Sequence, residues 1–540
     1  MSFTRTAIAR AAPGPRAGRR EWIGLAVIAL PCLLYSMDLT VLNLALPALT
    51  ADLRPSPTQL LWIVDIYGFL VAGLLITMGT LGDRIGRRRL LFVGAAAFGG
   101  ASLLAAFSTS AEMLIVARAL LGVAGATLAP STLSLISNMF VDAQQRTVAI
   151  GVWIMSFSVG GAIGPLVGGL LLEYFWWGSV FLLAVPVMVL LLAVGPRLLP
   201  EYRDPGAGRI DLLSAALSLA AVLVVIYGLK TMAQDGLGPM PLLSMAAGLV
   251  LGAGFVRRQQ SLDTPLIDLG LFRVPAFSAA LIVNLLAFFV AFGAFLSIAQ
   301  YLQLVVGLSP FEAGSWTVPS AVAFIVGSIL APRLVRRYRP AFVMAGGLAV
   351  AAFGFALMAQ ATADSGFALV VGGSVAFSLG LAQVFTLATD LMVGSAPPER
   401  AGAASGISET SSELGGALGI AILGTLGTAV YRASVDDAIP AGVPPGEAAA
   451  ARDTFAGAVT AGERLGEPIG GELLAGANDA FTEGFQLAAT VSMAVAIVAA
   501  AVAAVLLRRV RVGGASPPPV AVASRPARPV VGCPAPAGES

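Results

Sequence analysis

The hydrophobic pattern is one of long unbroken runs rather than alternation. Apolar stretches of about 20 residues recur along most of the chain, separated by short polar or basic segments. One such run crosses the roughly 30 Å hydrocarbon core of a bilayer as a single α-helix. Fourteen spans are predicted: 22–46, 59–80, 89–108, 112–134, 147–171, 177–196, 211–230, 239–257, 276–300, 312–332, 340–360, 366–390, 403–430 and 484–507. The fold class expected is an all-α integral membrane protein.

Composition agrees with the pattern. Of 540 residues 57% are hydrophobic and only 11% charged, against about a quarter charged in soluble proteins. The basic residues orient the spans. Arg5, Arg10, Arg16, Arg19 and Arg20 precede a first span too long for a cleaved signal, so they form a cytoplasmic tail. With the N-terminus inside, Arg54, Lys230, Arg432, Arg452 and Arg464 fall outside and Arg118 lies in a span. The rest of the 32 basic residues fall on the cytoplasmic side. Both termini are therefore expected in the cytoplasm, and the chain is expected to be a multi-pass protein of the cell membrane.

Absences narrow the chemistry. There is no histidine, which removes His-ligated zinc sites and Ser-His-Asp or Cys-His triads. The lone lysine, Lys230, stands in GLKTMA rather than a phosphate-binding G-x-x-x-x-G-K-[ST] loop. Cys32 and Cys533 lie at opposite ends and suggest no disulfide framework. An enzyme is not expected, and neither a cofactor, a metal nor a nucleic-acid partner is.

The chain also resembles itself. GGAIGPLVGG (160–169) returns as GGALGIAILG (415–424), QRTVAIG (145–151) as ERAGAASG (399–406), and GTLGDRIGRRR (79–89), worn, as GSILAPRLVRR (327–337). Spans 1–6 thus correspond to spans 9–14, with spans 7 and 8 inserted between. The organisation expected is a tail (1–21), an N-terminal six-helix half (22–200), the inserted pair with linkers (201–275), a C-terminal half (276–507) and a disordered tail (508–540). The C-terminal half carries an acidic outer loop, 431–483, read as a solvated connector or as an attractor of cations. Two matched halves suit alternating access, with substrate held near the midplane; a channel more often gathers several copies round a pore.

These motifs carry a family resemblance over about residues 22–507. GTLGDRIGRRR looks like the loop signature of the major facilitator superfamily, and RALLGVAGA (118–126) resembles its span-4 arginine motif. GGAIGPLVGG resembles the motif of its antiporters, and MDLTVLNLALPAL (37–49) that of its fourteen-span drug:proton antiporters. WIVDIYGF (62–69), WGSVFLLAVP (177–186) and SETSSELGGALG (408–419) look most like the Qac/Smv-type exporters of quaternary ammonium compounds. The resemblance implies the major facilitator fold and proton-coupled export of lipophilic cations, with protons and the bilayer as the other partners; a monomer is expected. It implies a conformational latch at Gly79, Asp83, Arg84, Gly86, Arg87 and Arg88, whose arginines also serve topology. It implies an antiporter motif at Gly160, Gly164, Pro165 and Gly168, where small residues also permit close packing.

A charge inside a bilayer is costly unless paired, hydrated or neutralised. The interior charges predicted are Asp38, Asp65, Arg118, Glu409 and Glu413. Asp65 and Arg118 each lie roughly 9 Å into their spans from outside, and Asp38 lies just past the middle of span 1, so the three are expected to meet. One arginine neutralises one carboxylate, which leaves a surplus acid for a proton or a cation. By resemblance Asp38 handles the proton or attracts the cation; a structural pair with Arg118 is the plain alternative. Asp65 shares its helical face with Trp62 and Phe69, a setting for charge and cation–π attraction, although Trp62 also suits an interfacial belt. Glu409 and Glu413 share one face of span 13 near the midplane, either as a proton or substrate site or as a hydrated face beside the basic loop. Asn284 is placed in the cavity wall of span 9 or in an interhelical hydrogen bond. The function expected is a multidrug exporter. A dedicated exporter of one antibiotic is the alternative within transport, and a membrane enzyme or sensor the alternative outside it.

Overall fold

The computed structural model describes residues 16–203, 211–235, 238–262, 265–363 and 366–510. Most of the two predicted tails, 1–15 and 511–540, lies outside the described residues. The regular structure described is all helical. In chain order it is α1 (Arg19–Leu53), α2 (Pro57–Ile85), α3 (Arg87–Ala106), α4 (Ala111–Met139), α5 (Ala143–Tyr174), the split span α6 (Ser179–Leu182) and α7 (Ala184–Leu198), α8 (Leu212–Asp235) and α9 (Pro239–Ser261). There follow α10 (Pro275–Gln300), α11 (Pro310–Leu334), α12 (Pro340–Met358), α13 (Phe367–Gly394), α14 (Ala401–Ala438), α15 (Pro445–Asp453), α16 (Phe455–Leu465) and α17 (Ile469–Leu506). Among the described residues 13 helical stretches are long and apolar enough to cross a membrane. The 32-residue α5 fills the remaining predicted span.

The helix starts are written in the sequence. Ser56 caps α2 and Ser309 caps α11; each is followed by proline at the first helical position and by Gln59 or Glu312 reaching back to the cap. Asp142 caps α5 by accepting from the Gln145 amide. Gly86, with φ +112°, makes the sharp turn from α2 into α3, a backbone conformation that side chains resist.

Small residues bring the helices together where lipid offers no hydrophobic drive. A Cβ on Gly160 of α5 would sit 2.2 Å from the Leu33 carbonyl oxygen of α1. In the repeat, a Cβ on Gly415 of α14 would sit 2.5 Å from the Leu285 carbonyl oxygen of α10. The same span pairs, 1 with 5 and 9 with 13, touch through the same glycines.

α8 and α9 pack on each other and lie over the seam between α2 and α14. Leu219 and Leu223 of α8 press on Gly73 of α2. Leu229 and Met232 pack with Ala421 of α14, whose Thr425 Oγ1 donates to the Met232 carbonyl. The segment 431–483 carries its own small core. Tyr431, Val435, Phe455, Leu473 and Ala477 bury one another there, and Arg432 and Arg464 pair with Asp453 and Glu447.

Candidate transport site

The candidate site is built from α1, α2, α4, α8 and α14. Arg118 of α4 is 1% exposed, and its Nη1 donates to Asp38 Oδ2 of α1 at 2.5 Å. Its Nε donates to the Ile63 carbonyl of α2 at 3.1 Å, and its guanidinium lies 4.6 Å over the Tyr67 ring. This buried cation is thus met by a carboxylate, a carbonyl and an aromatic ring, the kind of pairing that holds a charge in low dielectric.

Asp65 does not join that pair. The helix turns about 100° per residue, so Asp65, two positions after Ile63, faces away from α4. It receives the ammonium of Lys230 from α8 instead. Two expectations are corrected here. Lys230 lies within a helix against the interior rather than in an outer segment, and the N-terminal acids leave no surplus charge, because each has its own base. The face expected for Asp65 is as predicted in one respect: Trp62 and Phe69 stand together, ring centroids 6.5 Å apart. The cation over Phe69, at 4.7 Å, is Lys230. Trp62 is 45% exposed, and the Lys230 side chain 41%.

Glu413 of α14 accepts a hydrogen bond from Tyr35 Oη of α1 at 3.1 Å, which ties the two halves together across the interior. Tyr35 stands 5.9 Å from Tyr67 and 5.8 Å from Phe157, ring to ring. Asp38, Arg118, Tyr67, Tyr35 and Glu413 thus form one connected line. Tyr67 Oη is buried without a hydrogen-bond partner among the described residues. Glu409 is one turn from Glu413, half-buried like it. Asn284 is fully buried and donates to Ser412 Oγ at 3.0 Å; it joins α10 to α14 rather than lining the cavity.

The arginine-rich end is clamped. Asp83 pairs with Arg87 at 2.7 Å and accepts from the Gly402 and Ala403 amides, 3.0 and 2.9 Å, at the start of α14. A carboxylate at a helix N-terminus meets unsatisfied amides and the positive end of the helix dipole. Arg87 Nη2 also reaches the Pro398 carbonyl at 2.6 Å. Gly79 lets α2 approach: a Cβ there would sit 2.3 Å from the Gly402 carbonyl oxygen. Arg88 turns instead to its own half, to Glu201 and the Leu199 carbonyl, so it is not in the contact between halves. Arg84 ends α2 beside this cluster.

Sequence reasoning missed the mirror of this clamp. Asp390 of α13 accepts from Arg146 Nε at 2.8 Å and Thr147 Oγ1 at 2.6 Å, in the first turns of α5. α5 and α14 are repeat partners, so each start is held by an acid from the opposite half. The match of QRTVAIG with ERAGAASG contained that signal.

In the antiporter motif, Gly160 and Gly168 lie against Leu33 and Val41 of α1, and Gly164 is buried. The Pro165 side chain is outside the described residues.

Two six-helix bundles that meet at one end and enclose charged residues at the other define a membrane transporter of the alternating-access kind. The chain belongs to the Major Facilitator Superfamily, whose profile matches residues 28–420, and is a multi-pass protein of the cell membrane. It is 45% identical over 494 residues to the multidrug efflux pump LfrA of Mycolicibacterium smegmatis, covering 92% of this chain and 98% of that one. It is 36% identical over 463 residues to the methyl viologen resistance protein SmvA of Salmonella typhimurium, covering 86% and 93%. The crystal structure of the human organic anion transporter MFSD10 shares the fold, with TM-score 0.56 at 15% identity over 88% of this chain and 99% of that one.

Proposed function

We propose that this protein is a proton-coupled antiporter that exports lipophilic, mainly cationic, drugs, dyes and antiseptics by alternating access. It works as a monomer, with halves at 22–200 and 276–507 and the arginine-rich end in the cytoplasm. The observation that carries this reading is the charge inventory of the interior: four carboxylates, Asp38, Asp65, Glu409 and Glu413, against two side-chain cations, Arg118 and Lys230. Two negative charges in excess require protons or a cationic ligand. The relatives support the choice of cargo, since one is named a multidrug efflux pump and another for resistance to methyl viologen, an organic cation.

The excess falls on the C-terminal half. Asp38 and Asp65 hold bases, whereas Glu413 holds a tyrosine hydroxyl. Glu409 and Glu413 are therefore the proton carriers, and Asp65 with Trp62 and Phe69 forms the cation face. The clamped arginine end corresponds to the state open to the outside. There the substrate leaves Asp65 for the exterior, and protons entering from outside neutralise the glutamates and so allow the empty carrier to turn inward. Asp83 and Asp390 must let go before the cytoplasmic side opens.

Exporting a monovalent cation against a negative interior costs about 2.3 kcal/mol per 100 mV, and one entering proton returns the same. One-for-one exchange uses only the pH gradient. Two glutamates without bases allow a second proton and so use of the voltage. Cells making the protein should hold less ethidium than cells without it, and a proton uncoupler should erase the difference. Equal accumulation in both strains, or a difference that survives the uncoupler, contradicts the proposal.

A further inference from the structure

Lys230 is the chain's sole lysine, and it stands where a cationic substrate would. Its Nζ pairs with Asp65 and lies 4.7 Å over the Phe69 ring. Phe69 is edge-on to Trp62, so the ammonium closes an aromatic and acidic corner. It is also within electrostatic reach of Glu413 in the opposite half. The pair is not sealed: 41% of the Lys230 side chain and 22% of Asp65 are exposed. This differs from Arg118, which is 1% exposed and held by both the Asp38 carboxylate and the Ile63 carbonyl. A half-exposed ammonium on a four-carbon stem can leave its carboxylate at modest cost, since it is a flexible point charge rather than a fixed fork.

We propose that Lys230 is a tethered competitor for the substrate cation. The inserted pair α8 and α9 carries it into the seam between α2 and α14. In the empty site its ammonium occupies Asp65 and Phe69, and a lipophilic cation binds by displacing it. Lys230 thereby sets a threshold that only cations with enough apolar surface to exploit Trp62 and Phe69 overcome, and small inorganic cations do not. This rests on the reading of the cargo as cationic. It adds a specificity-determining residue on the two helices that neither repeat contains.

The test is binding of tetraphenylphosphonium to purified full-length protein in nanodiscs, with neutral triphenylphosphine oxide as the uncharged relative. Lys230→Gln should tighten the phosphonium roughly tenfold, since it removes the competitor but leaves Asp65 and the rings. Lys230→Arg should stay near wild type, and the neutral relative should bind all three proteins alike. Unchanged or weaker phosphonium binding to the Gln variant, with normal binding to wild type, overturns the competitor role while the cationic reading stands. Equal tightening of both ligands overturns it as well, because that is relief of bulk rather than of charge. No phosphonium binding to wild type removes both the inference and the reading beneath it. Should Lys230→Gln fail to fold, the unmutated protein answers. Phosphonium should speed acetylation of Lys230 by acetic anhydride, read by mass spectrometry. No change, or protection, counts against displacement.

Discussion

The two halves repeat each other in backbone and differ in how they treat their acids. In the N-terminal half Asp38 and Asp65 each face a base, Arg118 and Lys230. In the C-terminal half Glu409 and Glu413 face each other across one helical turn, and Glu413 has the Tyr35 hydroxyl as its partner. A paired carboxylate stays ionised and holds its position, while one without a base changes charge at modest energetic cost. In the proposed mechanism this difference gives the N-terminal half the task of recognising a charged cargo and the C-terminal half that of carrying protons. Tyr35 joins the two tasks, because it leaves the N-terminal half to hold Glu413.

Replacing Glu413 by Gln strikes this division hardest. The amide still accepts from Tyr35 but cannot exchange a proton. Uncoupler-sensitive transport in inverted vesicles should fall on the order of 100-fold or more, while phosphonium binding to purified protein changes by less than about threefold. Loss of binding together with transport would move the cargo site into the C-terminal half and end the comparison as drawn. Glu409→Gln should also lower transport, since it removes the exchangeable proton of the neighbouring carboxylate on the same face of α14.

The clamps come next. Asp83 is buried with Arg87, and an unpaired buried arginine is expensive, about 3–5 kcal/mol. Asp83→Asn should therefore disfavour the state closed at the arginine end. Cysteines placed beside Gly402 should label faster with a thiol reagent, and transport should fall roughly tenfold. Asp390→Asn should act in the same direction but more weakly, because Arg146 is 18% exposed and can find water. Unaltered labelling in both variants would reduce the clamps to packing and topology.

How much of this was legible in the sequence depends on whether the signal was local. Apolar run length is local, and the spans followed from it. The depth of Asp38 and Arg118 was enough to bring them together. Depth carries no azimuth, however. Asp65 and Arg118 lie at similar depth, but Ile63 faces α4 while Asp65 faces α8, and two residues on one helix decide the difference. The partner of Asp65 came from an inserted helix whose place in the bundle no repeat specifies. Asp390 was hidden for another reason: it ends an apolar span and looks like a boundary residue until its contact with α5 is known.

The repeat supports one more comparison, smaller in effect and strict in form. Gly160 and Gly415 are equivalent, and a Cβ on either would strike a carbonyl of the neighbouring span, Leu33 or Leu285. Gly169 and Gly424 are equivalent too, and a Cβ on either meets nothing within 4 Å. Between them the halves trade bulk. Gly168 of α5 accommodates Val41 of α1, whereas at the matching place Leu423 of α14 fills the space over Gly293 of α10. Alanine at Gly160 or Gly415 should force two backbones apart, costing about 1–3 kcal/mol. Alanine at Gly169 or Gly424 should be neutral or slightly stabilising, since glycine in a helix interior is worse than alanine by roughly 0.8–1 kcal/mol. Melting temperatures of the four purified variants test this directly. If the pairs do not separate, with both inner variants below wild type and both outer ones at or above it, the repeat in the sequence does not extend to the packing. If only Gly160→Ala falls, the contact belongs to the antiporter motif alone, and its echo in the C-terminal half has drifted free of that constraint.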